Sequence, residues 1–202
     1  RGIKAANVPL VPGAALPVEA LKDHLRMGAG FALPVGQDGL LESYLRAAMA
    51  AIEGRIAKAL IARRFRWSVE EWRDPAEVAL PVAPVSVVVG VTLVDALGGA
   101  VLLPATAWRL LSDLHRPRLV GAGSALPTVP AGGQAVVEFD AGFGPAWGDV
   151  PADLQQAVLL LAAEYYEHRH DDGSSGAGLP FGVVTLIERW RQVRILGGGG
   201  RK

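Results

Sequence analysis

The chain has 202 residues, half of them apolar, with 20 basic and 20 acidic side chains and no cysteine. Zero net charge removes the sequence-independent attraction by which phosphate-binding proteins hold nucleic acid, and the lack of cysteine excludes disulfides, thiolate metal sites and a cysteine nucleophile. No apolar run approaches the roughly 20 residues of a membrane span, and the first ten residues lack the apolar block of a secretory signal, so synthesis in the cytoplasm is expected.

A chain of this length can bury roughly 70% of its unfolded surface, and its apolar fraction leaves surplus Ala and Val for interfaces. Residues 1 to 15, with two prolines and two glycines, read as an extended N-terminal arm. From Pro17, the spacing of Val18, Leu21 and Leu25 predicts a short helix over 17–26. Beyond a Gly/Pro loop, Leu41, Leu45, Ala48, Ile52, Ile56 and Leu60 recur at three- and four-residue steps, which predicts a long Ala-rich helix over 38–60 capped by Asp38.

The period then shortens to two. Phe65, Trp67 and Val69 share one face of an alternating segment, and Val85 to Val94 is a β-branched run closed by a turn at Asp95 to Gly99. With strands at 101–103, 108–111, 118–120 and 135–139, the region from about 62 to 144 reads as an antiparallel β element. Helix returns over 151–168, with Leu154, Val158, Leu161 and Tyr165 on one stripe. Residues 171–178 form a Gly/Ser linker, 179–196 a terminal helix, and 197–202 a tail expected to be disordered. The order of elements makes the chain α+β.

Candidate chemistry is sparse. Glu164, His168 and His170, with Glu167, Asp171 and Asp172 nearby, are the one cluster of metal-ligand types, and they sit where a cationic helix end is favoured in any case. His24 and His115 lack a nucleophile at a telling spacing. Gly197 to Gly200 has no Gly-Lys-Ser/Thr ending, and Gly142-Phe-Gly144 lacks the rest of a dinucleotide fingerprint. Arg63, Arg64 and Arg66 could meet phosphate, but Glu70 and Glu71 share their stretch and favour a solvated strand edge. No catalytic residue, cofactor or metal is therefore assigned, and a structural subunit is expected. A metal-dependent enzyme centred on Glu164, His168 and His170 is the alternative from another class.

The terminal helix carries Phe181, Leu186 and Trp190 beside Arg189, Arg191 and Arg194, residue types that dominate interface energetics. Two readings are open for it: a docking peptide on a flexible leader, or a last core helix folding back on its own domain.

The ordered set of Leu16-Pro-Val-Glu-Ala-Leu-Lys-Asp-His-Leu-Arg26, the Ala-rich helix, the junction Val136-Val-Glu-Phe-Asp-Ala-Gly-Phe-Gly144, the helix opened by Val150-Pro-Ala-Asp-Leu-Gln-Gln-Ala157, and Leu179-Pro-Phe181 resembles the head-tail connector, or adaptor, proteins of long-tailed phages and gene transfer agents. The resemblance spans residues 16 to 195. It implies a connector domain over 16–170, built as a small α-helical bundle with the β element inserted, and a tethered C-terminal helix. It also implies a homo-oligomeric twelve-fold ring beneath the portal protein, followed by a stopper or tail protein, in a virion or phage-like particle. DNA would pass through the ring without being read, as zero net charge allows.

A closed ring needs two unlike complementary patches on each subunit. Tyr44, Ala48, Ile52 and Arg55 of the Ala-rich helix, with the β element, are the expected ring contacts. Leu179, Pro180, Phe181, Leu186, Trp190, Arg191 and Arg194 occupy the position that the resemblance assigns to portal contact. Another connector layer, a stopper or a tail terminator, is the alternative within structural proteins, although the helix-rich ends count against it.

Overall fold

A computed structural model describes residues 4–7, 10–27, 37–168 and 178–191. The expected linker, apart from Gly178, and the expected tail lie outside these residues, as do His170, Asp171, Asp172 and Arg194.

Among the described residues, four helices form one layer: α1 (Val18–His24), α2 (Gln37–Ile56), α3 (Ala152–Glu167) and α4 (Phe181–Ile187). Their shared core takes Leu41, Leu45, Ala48, Ile52 and Ile56 from α2, and Leu154, Val158 and Leu161 from α3, which is the stripe that three- and four-residue spacing implies. Asp38 is not a cap, because α2 begins a residue earlier. Its carboxylate instead meets Lys22 Nζ at 2.8 Å and ties α1 to α2.

The long helix ends before residue 60. Ala57 takes a left-handed backbone, φ +54°, and the chain runs on extended through the junction between the helices and the sheets. Glu53 holds the exit, accepting from the Leu60 amide at 2.8 Å and from both terminal nitrogens of Arg63 at 3.0 and 2.7 Å.

The β element is two sheets. Strands β1 (Lys4–Asn7), β2 (Arg63–Val69), β4 (Val85–Val94), β5 (Ala100–Leu102) and β8 (Gln134–Ala141) form an antiparallel sheet in the order β1-β2-β8-β4-β5. Strands β3 (Glu77–Ala79), β6 (Trp108–Leu111) and β7 (Arg118–Gly121) form a second, in the order β3-β7-β6. Between them lies a second core of Phe65, Val88, Val91, Val137 and Phe139 from the larger sheet with Leu119 from the smaller. Phe65 and Phe139 are cross-strand partners, stacked at 5.7 Å.

The junction that carried the resemblance has a steric reason. The segment after α2 runs between the chain at 83–84 and at 142–144, through Ala59 N–H to Ala83 O, Ala62 N–H to Gly144 O and Phe143 N–H to Leu60 O. Gly142 has φ +139°, and a Cβ there would collide with the backbone of Ala62. Only glycine allows two chains to cross so closely.

Candidate interaction surfaces

The C-terminal element packs on its own domain. Helix α4 buries Val183 and Ile187 against the bundle, and a 3-10 turn follows at Glu188–Trp190. Trp190 is 8% exposed. Its indole N–H donates to Asp153 Oδ2 at 2.7 Å, its ring meets Phe143 edge-on at 5.4 Å, and His115 stacks near it at 6.4 Å. Arg189 donates to the same Asp153 oxygen at 2.7 Å and covers the indole at 4.9 Å. Two elements thus fix one carboxylate: Asp153 stands in the first turn of α3, and the turn after α4 closes over it.

This changes what the terminal segment can offer a partner. Trp190 is buried and Leu186 half-buried within the bundle, so neither is an exposed anchor in this conformation. Leu179 and Pro180 are half-buried, Phe181 is 86% exposed and Arg191 is exposed. The helical stretch expected to reach residue 196 gives way at Arg191 to an extended backbone, φ −69° and ψ 140°.

The four residues expected to meet a ring neighbour separate in the same way. Ala48 and Ile52 are fully buried in the bundle, because their stripe is the one α3 packs against, and they leave nothing for a second copy. Tyr44 is half-buried, edge-on to Tyr166 at 6.2 Å. Arg55 is exposed.

The charged stretch of β2 is neutralised across strands rather than along the chain. Arg64 makes a two-pronged pair with Asp140 at 2.8 and 3.0 Å, which pulls the Asp140 carboxyl below its ordinary range, and Arg66 lies 3.9 Å from Glu138. Glu70 and Glu71 take no part in these pairs. The outer face of β2 and β8 thus carries Arg64 hydrogen-bonded to Asp140, with Arg66 beside Glu138.

The most apolar exposed surface lies at the other edge of that sheet. Val87 and Val89 on β4, Leu97 in the following turn, and Val101 and Leu102 on β5 are all exposed, Leu97 by 97% and Leu102 by 68%. The sequence carried the signal: residues 85–94 and 100–103 have no charged residue on either face, although an outward face of a surface hairpin is ordinarily polar.

Lys58, at the helix–sheet junction opposite Ala83, is the one buried charged residue among the described ones, 1% exposed, and its Nζ has no hydrogen-bond partner there. Burial pushes its pKa down, and Asp113 opposes that weakly through space. Asp113 itself accepts the amides of Arg116 at 2.6 Å and His115 at 2.7 Å, which lower its own pKa. Glu164 and His168 form a side-chain pair at 3.4 Å on α3, and among the described residues no three groups of metal-ligand type come together. No helix among them is long and apolar enough to cross a membrane.

Two buried cores, an apolar sheet edge and a sealed terminal turn describe a protein that packs against others. No family model matches the chain, and no curated protein matches it. Solved structures do. One chain in the neck of an empty gene transfer agent particle, determined with C6 symmetry, is 53% identical with a TM-score of 0.87, covering 96% of this chain and 98% of that one. A chain in the neck of a native particle, determined with C12 symmetry, is 51% identical with a TM-score of 0.82 over the same shares. A chain of the native virion is 54% identical with a TM-score of 0.83, covering 95% and 96%.

The chain is thus a structural connector of a virion-like particle and not an enzyme. It belongs to the neck proteins of gene transfer agent particles, and its place is the junction of head and tail.

Proposed function

We propose that within the neck this chain is the adaptor: a subunit that closes into a twelve-fold ring, seats on the portal protein, receives the stopper or tail protein on its other side and lets DNA pass. The observation that carries this is the 51% identity over nearly the whole length to a neck chain determined with twelve-fold symmetry. Zero net charge and the self-paired arginines of β2 support a channel component that does not grip DNA.

Negative-stain imaging of the purified chain with and without portal tests the reading. Rings seated on portal are the expected result. A chain that stays monomeric with portal present overturns it, and a ring that binds tail protein but not portal moves the chain to the stopper or tail-terminator layer.

A further inference from the structure

An exposed sheet edge presents unpaired backbone groups, and soluble proteins blunt such edges with charge, proline or a covering element. Among the described residues the β5 edge has none of these: Ala100, Val101 and Leu102 are all exposed. Strand β5 also pairs only with Thr92 to Val94, so the rest of the ten-residue β4 has no strand on that side among the described residues. Val87 and Val89 are exposed along this uncovered stretch. At Gly90 the absent side chain lets Leu102 lie over the strand, where a Cβ would come within 3.3 Å of its Cδ1. The result is a run of exposed apolar side chains along the edge, bordered by Asp140 and Glu138 of β8.

The occupant follows from three features. The neighbouring charges on the same sheet, Arg64 with Asp140 and Arg66 with Glu138, are already paired within the subunit, so nothing calls for a partner of opposite charge. Strand order places the two outermost strands, β5 and β1, at opposite sides of one sheet. A head-to-tail contact that closes into a ring requires two unlike surfaces so disposed. Beyond β1, Leu10 is 82% exposed, and three residues of chain keep it within about 11 Å of the end of that strand.

We propose that the apolar β4–β5 edge of one copy packs against the β1 side of the next copy, where Leu10 stands, and that this contact closes the ring. It rests on the ring reading above and goes beyond it by naming the two surfaces.

The chain has no cysteine, so a clean cross-linking test is available. In the double variant Leu10→Cys/Val101→Cys, assembled with portal and treated with a short bismaleimide, a ladder of covalent multimers is expected. Each single-cysteine variant should give no ladder, because head-to-tail contacts never bring two copies of one surface together. In parallel, Val101→Asp/Leu102→Asp should retain the wild-type thermal melt, since both side chains already face solvent, while losing rings by mass photometry. If wild-type rings are seen but the double-cysteine variant gives no ladder and the Asp variant still forms rings, the inference is overturned and the ring reading stands. If Asp-variant rings form but no longer join the next neck layer, the edge belongs to that layer and the inference is likewise overturned. If the wild type forms no ring even on portal, both readings fall.

Discussion

At Gly142 a methyl group would enter the backbone of Ala62, at a φ that side-chain-bearing residues avoid. Gly142→Ala should therefore cost about 3 kcal/mol, through strain and overpacking at a point where helices and sheets join, and a urea titration would read it as a lowered midpoint. The opposite substitution applies at Ala57, which holds φ +54° with a Cβ. Ala57→Gly removes that left-handed strain, and stability should rise by up to about 1 kcal/mol. A lower midpoint would show that the residue's contacts outweigh its backbone strain.

Lys58 sets a pH dependence. Its folded pKa lies below the ordinary 10.5 because burial penalises the ammonium, so between those two values the unfolded chain binds more protons than the folded one. Stability from this group accordingly rises as pH increases through that window and is lowest below it. Lys58→Met keeps the apolar stem and removes a buried charge that has no hydrogen-bond partner among the described residues, so it should stabilise by about 1–3 kcal/mol at neutral pH and abolish the alkaline rise. Melts from neutral to alkaline pH check both; an unchanged slope would mean that Lys58 is solvated or paired in solution.

At the scale of elements, α4 is a structural member of the bundle. Removing residues 179–202 takes away Val183, Ile187 and Trp190, three core side chains each contributing about 1.5–3 kcal/mol. That sum rivals the roughly 5–15 kcal/mol of a whole domain, so this truncation should not fold cooperatively by circular dichroism. Trp190→Ala alone should cost about 3 kcal/mol, leaving Asp153 to Arg189. A fully folded truncation would revive the detachable docking helix.

The sequence could not choose between these roles for the terminal helix, because an apolar stripe looks the same whether it faces its own core or a partner. What decides is the Asp153 clamp, formed by residues 37 positions apart in the chain. The same ambiguity misplaced the ring contacts: Ala48 and Ile52 belong to a stripe that reads correctly as apolar, but α3 already occupies it. Local signals fared better. Strands 85–94 and 108–111 fall where β-branched and alternating residues put them, and the glycines at 142 and 144 mark the strand-to-helix junction. The division into two sheets and the three-residue β3 are not legible in the sequence, since pairing of Glu77–Ala79 with Arg118–Val120 is set by distant partners rather than by local pattern.

At the scale of the molecule, the clamp at Asp153 divides the terminal segment by role. Everything up to Arg191 is held to the domain, whereas Arg191 itself leaves the 3-10 turn in an extended conformation and exposed. The stretch 192–196 that follows contains Val193, Arg194 and Ile195, and the β4–β5 edge lies on the sheet rather than on α4. Portal contact and ring closure would then draw on separate parts of the chain, and a truncation can pull them apart. Removing residues 192–202 leaves Val183, Ile187 and Trp190 in the chain, so the truncated protein should still melt cooperatively. Rings should still close through the sheet edge while binding to isolated portal weakens, because the arginine and apolar residues suited to an interface are lost. Co-sedimentation with portal reads the second effect and mass photometry the first. Undiminished portal binding would move the contact back onto the exposed Phe181 end of α4; loss of rings with portal binding intact would place subunit closure in the terminal segment instead of the sheet.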